Sequence, residues 1–190
     1  HLYMREIEIK VRLQDKEGLL AALAGKGVAL GEPVHQRDQV FGLPGEVGGD
    51  GNTVPWLRVR TETHGQGENE TKRTLFTLKR SVTGQLDSIE RETEVGDPDI
   101  MIAIVKELGF VPFSDVSKTR QTGKLDDTEV CIDSVEGLGD FMELEQLADE
   151  NADPAAITDD LWRIMAELGI SRQDEVTDGY DILMKKLREQ

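Results

Sequence analysis

Charged residues recur two positions apart in almost every segment of this chain that also alternates apolar and polar side chains. The first case, "REIEIKVRL" (Arg5 to Leu13), sets the pattern. Ile7, Ile9, Val11 and Leu13 fall on one face, and Glu6, Glu8, Lys10 and Arg12 on the other. Period-two alternation of this kind builds a strand with one face in an apolar core. For a single strand the charged face ordinarily meets solvent. The constraint comes from repetition, because a fold must find a place for every such face at once.

Seven further segments carry the signal. "PVHQRDQVFG" reads as a second strand, and "VPWLRVRTET" as a third with Arg58 and Arg60. "TKRTLFTLKRS" places Lys72, Thr74, Phe76 and Leu78 on one face and Arg73, Leu75, Thr77 and Lys79 on the other. "GQLDSIERETEVGD" aligns Glu90, Glu92 and Glu94. "FSDVSKTRQTGKL" carries Lys118 and Arg120, "TEVCIDSVEGL" carries Glu129, Cys131 and Asp133, and "GDFMELEQLAD" carries Glu143 and Glu145. Helices interrupt the series. Asp15 caps "DKEGLLAALAGKG", which Gly25 and Gly27 stop, and Asp97 before Pro98 starts "DPDIMIAIVKELGF". Asp153 and Pro154 start "DPAAITDDLWRIMAELGI", and "DGYDILMKKLREQ" closes the chain as a short helix. The glycine-rich "LPGEVGGDGN" lacks the spacing and following helix of a phosphate-binding loop and reads as a hairpin connection. Short turns between consecutive strands imply antiparallel pairing, and eight strands suffice to close a barrel. The expected fold is α+β, an eight-stranded antiparallel barrel with helices packed outside, in one domain over 4–190. His1, Leu2 and Tyr3 read as an appendage before a native start at Met4.

If the apolar faces meet outer helices, the charged faces line a channel. Cations then cluster on strands three, four and six, and acids on strands one, five, seven and eight. The basic wall suits a polyphosphate, through charge-assisted hydrogen bonds. The acidic wall repels that ligand unless divalent cations stand between, and Mg²⁺ or Mn²⁺ takes both carboxylate and phosphate oxygens. Composition agrees. With 22 basic and 38 acidic residues among 190, the formal charge is −16, which disfavours nucleic acid and anionic membranes. Acidity of this kind also fits a salt-adapted proteome. Cys131 is the only cysteine, and no run is long and apolar enough for a membrane span, so a reducing cytoplasm is expected.

These residues resemble the signature of the CYTH superfamily, the triphosphate tunnel enzymes, which include class IV adenylate cyclases and thiamine or inorganic triphosphatases. "EIEIK" is similar to the family's ExExK strand, "WLRVR" to its arginine pair, "LFTLKR" to its lysine strand, "ERETEV" to its central acidic strand and "VSKTRQTGKL" to its KxR strand. "VCIDSVEGLGDFMELE" resembles the late acidic segment. The resemblance implies that Lys10, Arg58, Arg60, Lys79, Lys118 and Arg120 hold the substrate's phosphates. It implies a two-metal site of Mg²⁺ or Mn²⁺ on Glu6, Glu8, Asp133, Glu143 and Glu145, with Glu92 or Glu94 in support. Glu8, Lys10, Lys79 and Arg120 become the catalytic set. "HQRDQVF", "EGLGDFMELE" and "GYDIL" look most like the class IV adenylate cyclase branch, which converts ATP to cyclic AMP and pyrophosphate. The alternatives are a triphosphatase acting on inorganic triphosphate, thiamine triphosphate or a nucleoside triphosphate, and a sensor that binds without turnover. A homodimer stays open. Two departures stand out: Gly123 where the family has an aromatic residue, and Val40 where a tyrosine is common; both are expected near the base or sugar. Trp56 and Trp162 read as packing residues. Arg12 and Glu90 read as charges of the outer mouth or the surface, and His35, His64 and Cys131 as structural.

Overall fold

The computed structural model closes eight strands into a ring, in which the first strand turns its apolar residues outward to the helices and Glu6, Glu8 and Lys10 inward. Residues 4–45, 54–84 and 86–190 are described, so residues 1–3 and most of the glycine-rich connection lie outside them. The strands are β1 (Met4–Arg12), β2 (Val34–Gly42), β3 (Trp56–His64), β4 (Thr71–Gly84), β5 (Asp87–Val95), β6 (Val111–Leu125), β7 (Thr128–Val135) and β8 (Gly139–Ala148). The helices are α1 (Lys16–Gly25), α2 (Pro98–Glu107), α3 (Pro154–Glu167) and α4 (Tyr180–Arg188). Asp15, Asp97 and Asp153 cap the first three, accepting from the amides of Gly18, Ile100 and Ala155.

The barrel closes in the order β1-β5-β4-β3-β2-β6-β7-β8, with every pairing antiparallel. Consecutive pairing holds within β2 to β5 and within β6 to β8. It fails where a helix intervenes. After α1 the chain starts β2 away from β1, and after α2 it starts β6 on the free edge of β2. β1 joins the two halves, lying between β5 and β8.

Three apolar clusters hold the ring. Ile7, Ile9 and Val11 of β1 meet Ile132, Met142 and Leu144 under Leu19 and Leu23 of α1 and Leu161, Trp162 and Met165 of α3. Phe41, Leu57 and Val59 pack under Val105 of α2. Val116, Val135 and Phe141 meet Tyr180, Leu183 and Met184 of α4. Full burial of one such aliphatic side chain contributes about 1.5–3 kcal/mol. A slip of one residue in β1 would bring Glu6, Glu8 and Lys10 into that core, so the apolar face fixes the register that aims the charges inward.

No described helix is long and apolar enough to cross a membrane.

Candidate active site

A cavity of about 560 Å³ runs inside the barrel. Among the described residues six cations line it: Lys10, Arg58, Arg60, Lys79, Lys118 and Arg120. Nine described carboxylates face them: Glu6, Glu8, Asp38, Glu90, Glu92, Glu129, Glu143, Glu145 and Asp181. The strand register explains the grouping. Lys10 lies opposite Glu143 and Glu8 opposite Glu145 across β1 and β8, while Asp38 lies opposite Arg60 across β2 and β3.

The cations are held by acids. Arg60 makes a two-pronged contact with Asp38, at 2.6 and 2.8 Å, and Lys118 reaches the same carboxylate at 3.0 Å. Arg120 forks onto Asp133 at 2.7 and 2.6 Å and donates to Glu143 at 2.8 Å. Arg58 spans Glu90 and Glu92, and Lys79 lies 3.5 Å from Glu6 and 3.9 Å from Glu90. Lys10 is 3.6 Å from Glu143 and only 2 % exposed.

Burial sets the protonation of the acidic wall. It pushes Glu8 up to about 8, aided by the charge of Glu143 and opposed by Lys79 and Lys10. Burial also raises Glu6 well above the usual carboxylate range, against the pull of Lys79, and raises Glu145, where Glu143 adds to the effect. Glu90 goes the other way. Burial opposes its ionisation, but a hydrogen bond from Glu6 and the charges of Lys79 and Arg58 bring it down to about 2. Glu143 and Asp38 are likewise buried, and the cations around them outweigh desolvation and keep both ionised. Lys118 is pushed down to about 8 by burial; Asp38 opposes the shift, and Arg60 and Arg120 add to it.

Of the expected phosphate ligands, all six reach the cavity. The expected metal ligands divide. Glu6, Glu8, Glu143 and Glu145 line the cavity together, and Oε2 of Glu8 is buried with no hydrogen-bond partner among the described residues. Glu92 lines it too, but is engaged by Arg58 and by the Thr77 hydroxyl at 2.7 Å. Glu94 does not reach it; the residue is exposed near the end of β5. Asp133 does not reach it either. Its side chain is fully buried behind Arg120, and its oxygens are taken by that guanidinium and by the Tyr180 hydroxyl. Among the described residues no three acids converge into a ready-made metal cage.

Several cavity residues lay outside the expected set. Glu90, read as an outer charge, sits inside between Arg58 and Lys79; it belongs to the same period-two face as Glu92. Trp56, read as packing, lines the cavity two residues before Arg58, with Lys79 5.7 Å from its ring centroid. Asp38 was not legible as a site residue, because the pairing of β2 with β6 that sets it between two basic strands follows a helical crossover. Tyr180 and Asp181 come from α4, and no strand periodicity points to them. Arg12 does lie outward, over the Phe141 ring, and Trp162 is buried in the core. Burial keeps the Cys131 thiol protonated. Gly123 does not line the cavity. A Cβ there would meet the Ala29 carbonyl oxygen at 2.8 Å and Val28 Cγ1 at 2.9 Å, so the glycine lets β6 pass under the segment between α1 and β2. Val40 does line the cavity.

A Methanocaldococcus jannaschii protein provisionally named an adenylate cyclase is 29 % identical over 180 residues, spanning 93 % of this chain and 97 % of that protein. A solved structure from Pyrococcus horikoshii is 28 % identical, with a TM-score of 0.74 over 93 % of this chain and 97 % of its own. A Hippeastrum protein, described as an adenylyl cyclase candidate with a dominant triphosphatase activity, shares the fold at 16 % identity and a TM-score of 0.58, over 93 % of this chain and 91 % of its own. The sequence profile of the CYTH domain matches residues 4–180, and with that match over nearly the whole barrel the chain belongs to the CYTH domain family.

Proposed function

We propose that this chain is a metal-dependent enzyme of nucleoside triphosphates that converts ATP to cyclic AMP and pyrophosphate. The observation that carries the reading is an apolar lining continuous with the phosphate wall. Val40, Phe41, Pro55, Trp56 and Phe113 border the same cavity as Arg58 and Lys79. A bare polyphosphate makes no use of such a surface, whereas a nucleoside does. The volume falls within the range of small-molecule sites, about 300–1,000 Å³. The provisional name of the Methanocaldococcus relative points the same way.

In this reading Arg58, Arg60, Lys79, Lys118 and Arg120 bind the triphosphate, and Lys10 neutralises charge on the pyrophosphate side. Every one of these cations is already paired with a carboxylate, so an anionic ligand needs further positive charge. Glu6, Glu8, Glu143 and Glu145 are hard oxygen donors, one of them with a buried orphan oxygen, and they fit Mg²⁺ or Mn²⁺. When bound, the divalent cations would neutralise the phosphates and acidify the attacking hydroxyl. A cation of this kind keeps several waters and takes only one or two carboxylates beside the substrate's oxygens, which matches acids that do not form a closed cage. The ribose 3′-hydroxyl gives up its proton to water as its oxygen forms the new bond to the α-phosphorus, the bond from that phosphorus to the bridging oxygen breaks, and pyrophosphate leaves with the displaced charge held by the cations. The barrel holds those cations on strands rather than loops, so they are preorganised for that charge.

A second reading rests on Val40. Its short side chain leaves the nucleoside end wider than a tyrosine would, and a ribose held loosely presents its hydroxyl in line less often than water arrives. That reading is a triphosphatase, the dominant activity described for the Hippeastrum fold relative. Product analysis separates the two. With ATP and Mg²⁺ or Mn²⁺, the cyclase yields cyclic AMP and pyrophosphate, and chelator abolishes turnover. If orthophosphate is released instead, and tripolyphosphate is consumed faster than ATP, the triphosphatase reading replaces it.

A further inference from the structure

We propose that Tyr180, the first residue of α4, is a positioning residue of the phosphate wall, fixing Arg120 through its hydroxyl and Lys10 and Lys118 through its ring. The inference rests on the phosphate-wall reading above and deepens it.

The contacts form a closed circuit. The Tyr180 hydroxyl donates to Oδ2 of Asp133 at 2.7 Å. Asp133 has no solvent exposure, and both its oxygens receive the Arg120 fork. Arg120 donates onward to Oε2 of Glu143, whose Oε1 lies 3.6 Å from Lys10. The Lys10 ammonium then sits 4.0 Å from the centroid of the Tyr180 ring, and Lys118 sits 5.3 Å from it. Three of the six cavity cations therefore depend on one side chain. A desolvated ammonium over a ring face is among the stronger contacts of its class. The ring is itself braced edge-on by Phe141, with centroids 5.1 Å apart, and Lys10 also donates to the Asp178 carbonyl oxygen at 3.2 Å.

The hydroxyl matters beyond packing because Asp133 is out of reach of water. A buried carboxylate stripped of one donor finds no replacement and rearranges toward those that remain. Arg120 is the nearest, and it is shared with Glu143. Without the hydroxyl, Asp133 pulls the guanidinium away from the cavity. The ring acts separately, by setting where two ammonium groups stand.

The variants Tyr180→Phe and Tyr180→Leu divide these roles. Tripolyphosphate with Mg²⁺ is the binding probe, read by calorimetry, and ATP is the turnover probe. Tyr180→Phe should weaken tripolyphosphate binding about tenfold, as expected for one lost charge-assisted hydrogen bond, and Tyr180→Leu about a hundredfold. The KM for ATP should rise in parallel, and kcat should fall as well because the same cations receive the pyrophosphate charge. A merely structural role would lower the active fraction, and hence kcat, at constant KM. Because the hydroxyl acts through Arg120, adding Tyr180→Phe to Arg120→Lys should cost little more than Arg120→Lys alone. Unchanged affinity in Tyr180→Phe, or full additivity with Arg120→Lys, overturns the proposal. Should Tyr180→Leu fail to fold, Tyr180→Phe and the double variant still decide. A wild-type protein that binds neither ATP nor tripolyphosphate sinks the underlying reading along with it. A wild type that binds, with variants that match it, sinks the role of Tyr180 alone.

Discussion

Glu8 is an acid kept neutral by its surroundings. Burial and the neighbouring Glu143 push its carboxyl up to about 8, and its Oε2 has no hydrogen-bond partner among the described residues. The folded chain therefore holds a proton there across a pH window in which the unfolded chain has lost it. Stability contributed in this way is fully present below the ordinary carboxylate range and is lost as pH rises through about 8. Glu6 and Glu145 are raised as well and act in the same direction. The metal-free protein should thus melt at progressively lower temperature from pH 5 to pH 8, measured by calorimetry in chelator. Added Mn²⁺ should offset the loss most at the upper end, where it no longer competes with protons. Glu8→Gln should flatten the profile. A melting temperature that rises over this interval in the wild type would contradict the assignment of protons to the acidic wall.

At the scale of elements, β2 and β3 illustrate what alternation reveals and what it hides. Asp38 on β2 is buried and serves Arg60 and Lys118 from the two strands that flank it. Asp38→Ala leaves two buried cations without their shared anion and should cost about 3–5 kcal/mol. The comparison is Asp115→Ala, which removes an equally well-shaped fork on Arg37 with both side chains about half exposed. That loss should stay below about 1 kcal/mol. Urea unfolding of the two variants reads the difference, and equal costs would mean that burial does not set the strength of these pairs. The eight strands and four helices were legible because the strands repeat side-chain character at period two and three of the helices carry an aspartate cap. The pairs Arg58–Arg60, Lys118–Arg120 and Glu143–Glu145 were legible for the same reason. Asp133 and Glu94 show the limit. Both have the right parity, but parity says which face a residue is on and not how far along the barrel it lies, nor whether a guanidinium stands in front of it. Closure of β1 between β5 and β8 was hidden too, since a helical crossover does not say which edge the chain returns to. Tyr180 escaped because it enters the barrel from a helix outside the strand pattern.

At the scale of the whole molecule, two fields of opposite consequence act on a ligand. The formal charge of −16 attracts divalent cations and repels a polyphosphate, over a range set by the Debye length. The six cavity cations act only at short range, because each is paired and most are buried. At about 0.01 M salt the screening length is about 30 Å, comparable to the molecule, and at about 0.15 M it is about 8 Å. Raising salt between these values should therefore speed the capture of metal-free tripolyphosphate and slow the capture of Mn²⁺. Stopped-flow measurements of both association rates test this in one experiment. The sign is informative. If tripolyphosphate capture slows with salt, the cavity field reaches beyond its mouth and steers the ligand in, and the acidic surface has no part in entry. If it speeds up as expected, the surface acts as a barrier to bare phosphates. The favoured ligand is then one already neutralised by a divalent cation, and the metal and the substrate would enter together.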